Sequence, residues 1–468
     1  MGPSAHRHEA RQSGPGSSRV RRARIGVVLV PIASLILIAV GQGAFVDPVA
    51  ERRQALAPSE SLLIGGVEGA LADGTGTDGL ATATVPGTAS FAPASGGSNS
   101  GSGSPAANPG ATTPGSAAPV AAPPTIRPSP PAPQPTPRPP FAPVPPRAAS
   151  SYLLMSPSEL LNLPTSGAAW NWVVEVAGRS ATPNLSAQDS EADLVILARA
   201  LVYGRTGDNT MRASVLDGLK AVVGTETGGR TLALGRNLSG FVIAADLIDV
   251  RSADPAFDND VFRPWLRSLF ANVLDGDTLV STAEGRPNNW GTHAGAARIA
   301  AARYLGDSAQ LERQAAVFHG WLGNGASYAG FKYGDLSWQC DPAKPVGINP
   351  TGCTRDGNDI DGVLPDDQRR GGPYVWPPPK ENYVWEALQG AVLQAELLYQ
   401  AGYPAWSWEN SALRRAVRWL VEVAAYPAEG DDRWQPWLID ARYGTSYRGV
   451  PPKTLGKNFA FTDWLYAP

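Results

Sequence analysis

The chain has 468 residues, with 39 Lys plus Arg, 42 Asp plus Glu and two cysteines. Proline crowds the first 150 positions and all 14 tryptophans lie after them, so the first third cannot offset its chain entropy with a packed core. Setting aside the 11 Arg and 7 acidic residues of 1–147 leaves 28 basic and 35 acidic residues in 148–468, a net of −7 that argues against a nucleic-acid partner.

Residues 1–24 read as a basic cytoplasmic N-terminus. Arg19, Arg21, Arg22 and Arg24 precede an uncharged apolar run at 25–46, and 22 residues are enough to span a bilayer as a helix. An uncleaved signal anchor is the preferred reading. A signal peptide cut near Ala39–Val40–Gly41 is the alternative. Either one puts the remainder outside the cytoplasm, anchored to the membrane or released from it. Residues 47–147 are Gly, Ser, Ala, Thr and Pro, a linker that passes from flexible coil to extended polyproline.

From 148 to 468 the chain reads as one large helical domain. Apolar spacing near 3.6 predicts helices over 192–204, 211–223, 234–250, 256–274, 292–305, 310–322, 383–401 and 411–425. The stops Gly204–Asp208, Gly306–Asp307 and Gly402–Pro404 each fall between two such segments. The pattern suggests helical hairpins in an all-α solenoid or closed (α/α) toroid. Cys340 and Cys353 enclose a Pro- and Gly-rich loop and are expected to pair as a disulfide outside the cytoplasm. Two cysteines with no histidine nearby do not make a zinc site. The segment Asp356–Gly362 imitates a calcium loop but puts Ile360 where an oxygen ligand belongs. No metal and no cofactor are expected.

Two polar stretches interrupt the helical pattern. The first, Gly285 to His293, is a rigid approach to a helix. Asn289 and His293 share one face if that helix starts early. The second runs from Arg369–Arg370 through Tyr374 and Pro377–Pro379 to Lys380 and Tyr383. It combines cations, a proline-stiffened loop and tyrosines at the mouth of a helix.

The runs Asn288–Asn289–Trp290–Gly291–Thr292–His293 and Tyr383–Val384–Trp385–Glu386–Ala387–Leu388 resemble the alginate lyase superfamily. So do Ala233–Leu238 and Ala244–Leu247. Trp290 stands where that family carries its histidine, and Arg370 is far upstream of Tyr383. The resemblance implies an incomplete (α/α) toroid that cleaves a uronate polysaccharide by β-elimination. Removing the proton beside a carboxylate needs donors for the developing charge, here Asn288 or Asn289 with Arg236. It also needs a base and an acid. His293 and Tyr383 are the candidates, with His293 the preferred base. Asn237, Trp290, Arg370, Tyr374, Lys380, Arg442 and Tyr443 are expected to line the cleft, and Trp376 or Trp385 to stack on sugars. The expected partners are an acidic polysaccharide and, through 25–46, a membrane. Two alternatives remain: a glycoside hydrolase using Asp246 and Glu381, and a non-catalytic glycan-binding protein.

Overall fold

A computed structural model describes residues 141–467. The basic N-terminus, the apolar run and the linker up to residue 140 lie outside the described residues. Among the described residues the fold is all-α, and no helix is long and apolar enough to cross a membrane. The sheet content there is one two-stranded hairpin, β1 (Thr354–Arg355) antiparallel to β2 (Asn358–Asp359).

The longer helices are α1 (Ala168–Ala177), α2 (Ala192–Thr206), α3 (Asn209–Val222), α4 (Thr231–Leu247) and α5 (Leu279–Gly285), then α6 (Asn289–Leu305), α7 (Ser308–Leu322), α8 (Tyr383–Gln400), α9 (Trp408–Arg418) and α10 (Gln435–Tyr443). The hairpins α2–α3 and α6–α7 turn at Gly207 and Gly306, both left-handed, where glycine carries no steric penalty. Asp208 and Asp307 then cap the helices that follow.

Helices α4, α6 and α8 are nearly encircled by protein, which is why their sequences are apolar or small on several sides. They run in the same direction. Along α6, Thr292–His293 meets Gly390 of α8 and Gly295 meets Gln394. A Cβ on Gly390 would stand 2.4 Å from the Thr292 carbonyl carbon, and one on Gly235 of α4 2.9 Å from the Ala294 nitrogen. Glycine at these points therefore sets how closely the three helices approach. The C-terminal ends also meet. Arg303 at the end of α6 donates to Leu397 O of α8 and to the carbonyls of Ser150, Tyr152 and Leu153, at 2.7–3.1 Å. Leu153 N in turn donates to Asp246 at the end of α4.

Three local expectations change. The helix expected at 256–274 is broken into Pro255–Phe257, a π turn at Asp258–Phe262 and Arg263–Ser268. Pro264 has no N–H to continue the regular ladder. The helix expected at 411–425 has left-handed residues at Glu409–Ser411 and gives way to a π turn at Trp419–Val423. The segment 141–147 lies on the helical domain: Val144 is buried, its N–H donates to Ser407 Oγ, and Arg414 lies over Phe141.

Cys340 and Cys353 form a disulfide. Two of the three acids of the calcium-like loop are paired with arginines, Asp361 with Arg415 at 2.7 Å and Asp359 with Arg418 at 3.1 Å.

Candidate functional site

Helix α6 starts at Asn289, capped by the Asn288 side chain, which accepts from Trp290 N at 3.2 Å. This early start places Asn289 and His293 one turn apart on one face. The N-terminal ends of α4 and α8 lie alongside and bring Arg236 and Glu386 to the same place.

His293 is fully buried. Its Nδ1 meets Asn458 Oδ1, and its Nε2 stands 3.6 Å from Glu386 Oε2, too far for a hydrogen bond. Glu386 is bound by Arg236, which also reaches Asp189 Oδ1 at 3.4 Å. Burial alone would raise the Glu386 carboxyl. Nearby His293, Arg236 and Lys457 outweigh it and hold the carboxyl at about 2. Burial lowers His293, against the pull of Glu386. The cluster is thus a carboxylate clamped by a guanidinium, with a neutral imidazole against it.

One turn toward the helix starts, the chemistry changes. Asn289 is buried, and its side-chain oxygen and nitrogen have no protein partner. Its backbone N–H donates to Asp367 Oδ1 at 3.1 Å. Burial, reinforced by Asp366, pushes the Asp367 carboxyl well above its ordinary range. Tyr383, the first residue of α8, is exposed, and the Arg370 guanidinium lies 3.4 Å from its ring centre. On the other side of Glu386, burial and Asp431 push Asp432 up, while Gln389 donates to it at 2.9 Å.

The expected residues divide accordingly. Asn288, Asn289, His293, Arg236, Arg370 and Tyr383 gather at the joint N-terminal end of α4, α6 and α8. Asn237 is also there but buried, with its Nδ2 on Ala187 O at 2.8 Å. Trp290 has the guanidinium groups of Arg230 and Arg286 at 4.5 and 4.4 Å from its ring. Lys380 is exposed, 5.8 Å from the Tyr426 ring centre.

Others do not belong to this cluster. Arg442 is bound to buried Glu396, ten residues along α8 from Glu386, or about 15 Å by helical rise. Tyr443 donates to Trp406 O at 2.6 Å. Arg442 ties α10 to α8 and Tyr443 ties it to the turn before α9, and neither completes a cleft. Tyr374 braces the β1–β2 hairpin through Arg355 O. Trp385 is completely buried, with Nε1 on Tyr426 O, and offers no face to a sugar. Asp246 and Glu381 flank opposite ends of the parallel helices, so they do not form a hydrolytic pair.

Glu386, Asn458, Asp367 and Lys457 were not singled out from the sequence. Glu386 had a usable signal, because it follows Tyr383 by three on one helix face. Asn458 had a weaker one, a polar residue in the turn Gly456–Lys457–Asn458 just before the apolar Phe459–Phe461. It adopts φ 68, which asparagine tolerates.

Comparison with protein-family models and with curated proteins gives no match to this chain.

Proposed function

We propose that the domain is a polysaccharide lyase that cleaves a uronic-acid polymer by β-elimination, built on an incomplete (α/α) toroid. One observation carries this reading. At a single helix-end cluster, a buried amide with both polar atoms unspent, Asn289, has its backbone N–H on Asp367, and Arg370, whose charge acts on Asp367, lies against an exposed phenol, Tyr383. A buried polar side chain without a partner is costly, so its retention asks for a ligand. The resemblance in the Asn288–His293 and Tyr383–Leu388 segments supports the same reading.

The roles follow from exposure. Asn289 and Arg370 offset the charge that develops on the uronate carboxylate. The amide is covered in this structure, so substrate entry has to uncover it. Tyr383 presents a proton-transfer atom at the surface, whereas His293 does not. We therefore move the base from His293 to Tyr383. The phenolate takes the proton beside the carboxylate, the double bond forms as the glycosidic C–O bond breaks, and the phenol returns the proton to the leaving oxygen. His293, Glu386, Arg236 and Asn458 hold the three helix ends in register beneath it. The negative net charge of 148–468 is met locally by the exposed cations Arg370 and Lys380.

A second reading has one observation of its own. Glu386 stays ionised while Asp432, within its electrostatic reach, is pushed up, and an acid and a base with separated ionisation are what a glycoside hydrolase uses. Incubation with alginate and with glucuronan separates the two. A lyase yields an unsaturated product with new ultraviolet absorbance. New reducing ends without that absorbance would support hydrolysis, and binding without either would support a glycan-binding protein.

A further inference from the structure

Among the described residues, two aromatic side chains are exposed, Trp376 and Tyr383, each at 36%. They stand seven positions apart on the same loop-and-helix junction. Val375, beside Trp376, is 52% exposed. Tyr383 is accounted for by its place under Arg370, which leaves Trp376 to explain.

The loop that carries Trp376 is held at both ends. Gln368 Nε2 donates to Pro379 O at 2.9 Å and Trp338 Nε1 to Gly372 O at 3.1 Å. Tyr374 N donates to Ser337 Oγ at 3.0 Å. Pro373, Pro377, Pro378 and Pro379 restrict the backbone in between. A loop so braced keeps its apolar tip in water at a cost in hydration that a packed tip would avoid. Arg370 and Lys380, both exposed, precede and follow the loop in sequence. The other tryptophans considered for this part are spent: Trp385 is buried, and Trp290 already has two guanidinium groups against its ring.

We propose that Trp376 is a stacking platform for a pyranose ring of the acidic polysaccharide, one that holds the chain next to the Arg370–Tyr383 pair. The proposal rests on the uronate-polymer reading of that pair. The indole face takes the C–H face of a sugar, and Arg370 or Lys380 takes its carboxylate. Trp376 is a binding residue that acts on affinity more than on the chemical step.

The test compares full-length wild type, Trp376→Ala, Trp376→Phe and, as an exposed apolar control elsewhere, Val273→Ala. Both variant positions are exposed, so all proteins should melt together. On alginate or glucuronan, W376A should raise KM about tenfold with a smaller change in kcat, W376F should recover most of it, and V273A should match wild type. An unchanged KM in W376A overturns the platform while leaving the lyase reading intact. If wild type produces no unsaturated product, retardation in gels containing either polymer still decides. Loss of retardation in W376A alone supports the platform, and equal retardation in W376A and wild type overturns it.

Discussion

His293 shows how one residue carries two different meanings in sequence and in space. Its position four residues after Asn289 is a face relationship that the sequence displays, and the structure keeps it. Its depth is set by α4 and α8, which approach from distant parts of the chain, so burial was not legible from local pattern. A buried neutral imidazole has a pH consequence with a definite sign. Its folded pKa lies below its ordinary value, so the unfolded chain gains a proton below about pH 6.5 that the folded chain refuses, and stability is lost as pH falls through that range. Glu386 is held down at about 2, so its contribution is full above about 4.5 and is lost only as pH falls below that. Asp367 and Asp432, raised by burial, act in the opposite sense, but they are shared by wild type and a His293 variant. His293→Gln should therefore lose about 2–4 kcal/mol near neutral pH by disturbing a buried network, and its deficit should narrow between about pH 7 and about pH 5. Melting temperatures across that range check this. A deficit that widens on acidification would show that His293 is charged in the fold.

At the scale of elements, the turns and the periodicity were the readable part. Gly207, Gly306 and the aspartates after them mark hairpin ends that the structure places within a few residues of expectation. The breaks at 258–262 and 419–423 were not readable, because apolar spacing persists through a π turn. Nor was the attachment of 141–147, whose Pro-rich sequence resembles the linker before it. The segment that follows is tied down by Arg303, a single guanidinium donating to the carbonyls of Ser150, Tyr152 and Leu153 and to Leu397 O of α8. Burial lowers its pKa to about 10, which still leaves it charged at neutral pH. Arg303→Ala leaves the Ser150, Tyr152 and Leu153 carbonyls without their donor, while Leu397 O keeps Ala401 N, and should cost about 3 kcal/mol or more, read as a lower denaturant midpoint. A midpoint within experimental error of wild type would mean that water satisfies them. Because this end is remote from Tyr383, any loss of activity in Arg303→Ala should track unfolding.

For the whole molecule, the parallel run of α4, α6 and α8 gathers three helix starts at one end, and the candidate chemistry lies there. This explains why residues from 236 to 458 form one cluster, and why Arg442, Tyr443 and Asp246 do not join it. Sequence reasoning could collect polar residues from three motifs, but only the direction of the helices decides which of them share an end. The account predicts a division of labour at that end, with an exposed Tyr383 that moves protons and a buried His293 network that holds its base. The most direct test is the unsaturated product formed from alginate or glucuronan by wild type and Tyr383→Phe, with the melting temperature of each. The prediction is a fall in turnover of about 100-fold or more in Y383F with unchanged melting, because the exposed phenol makes no hydrogen bond in the fold. Wild-type turnover in Tyr383→Phe would contradict the account.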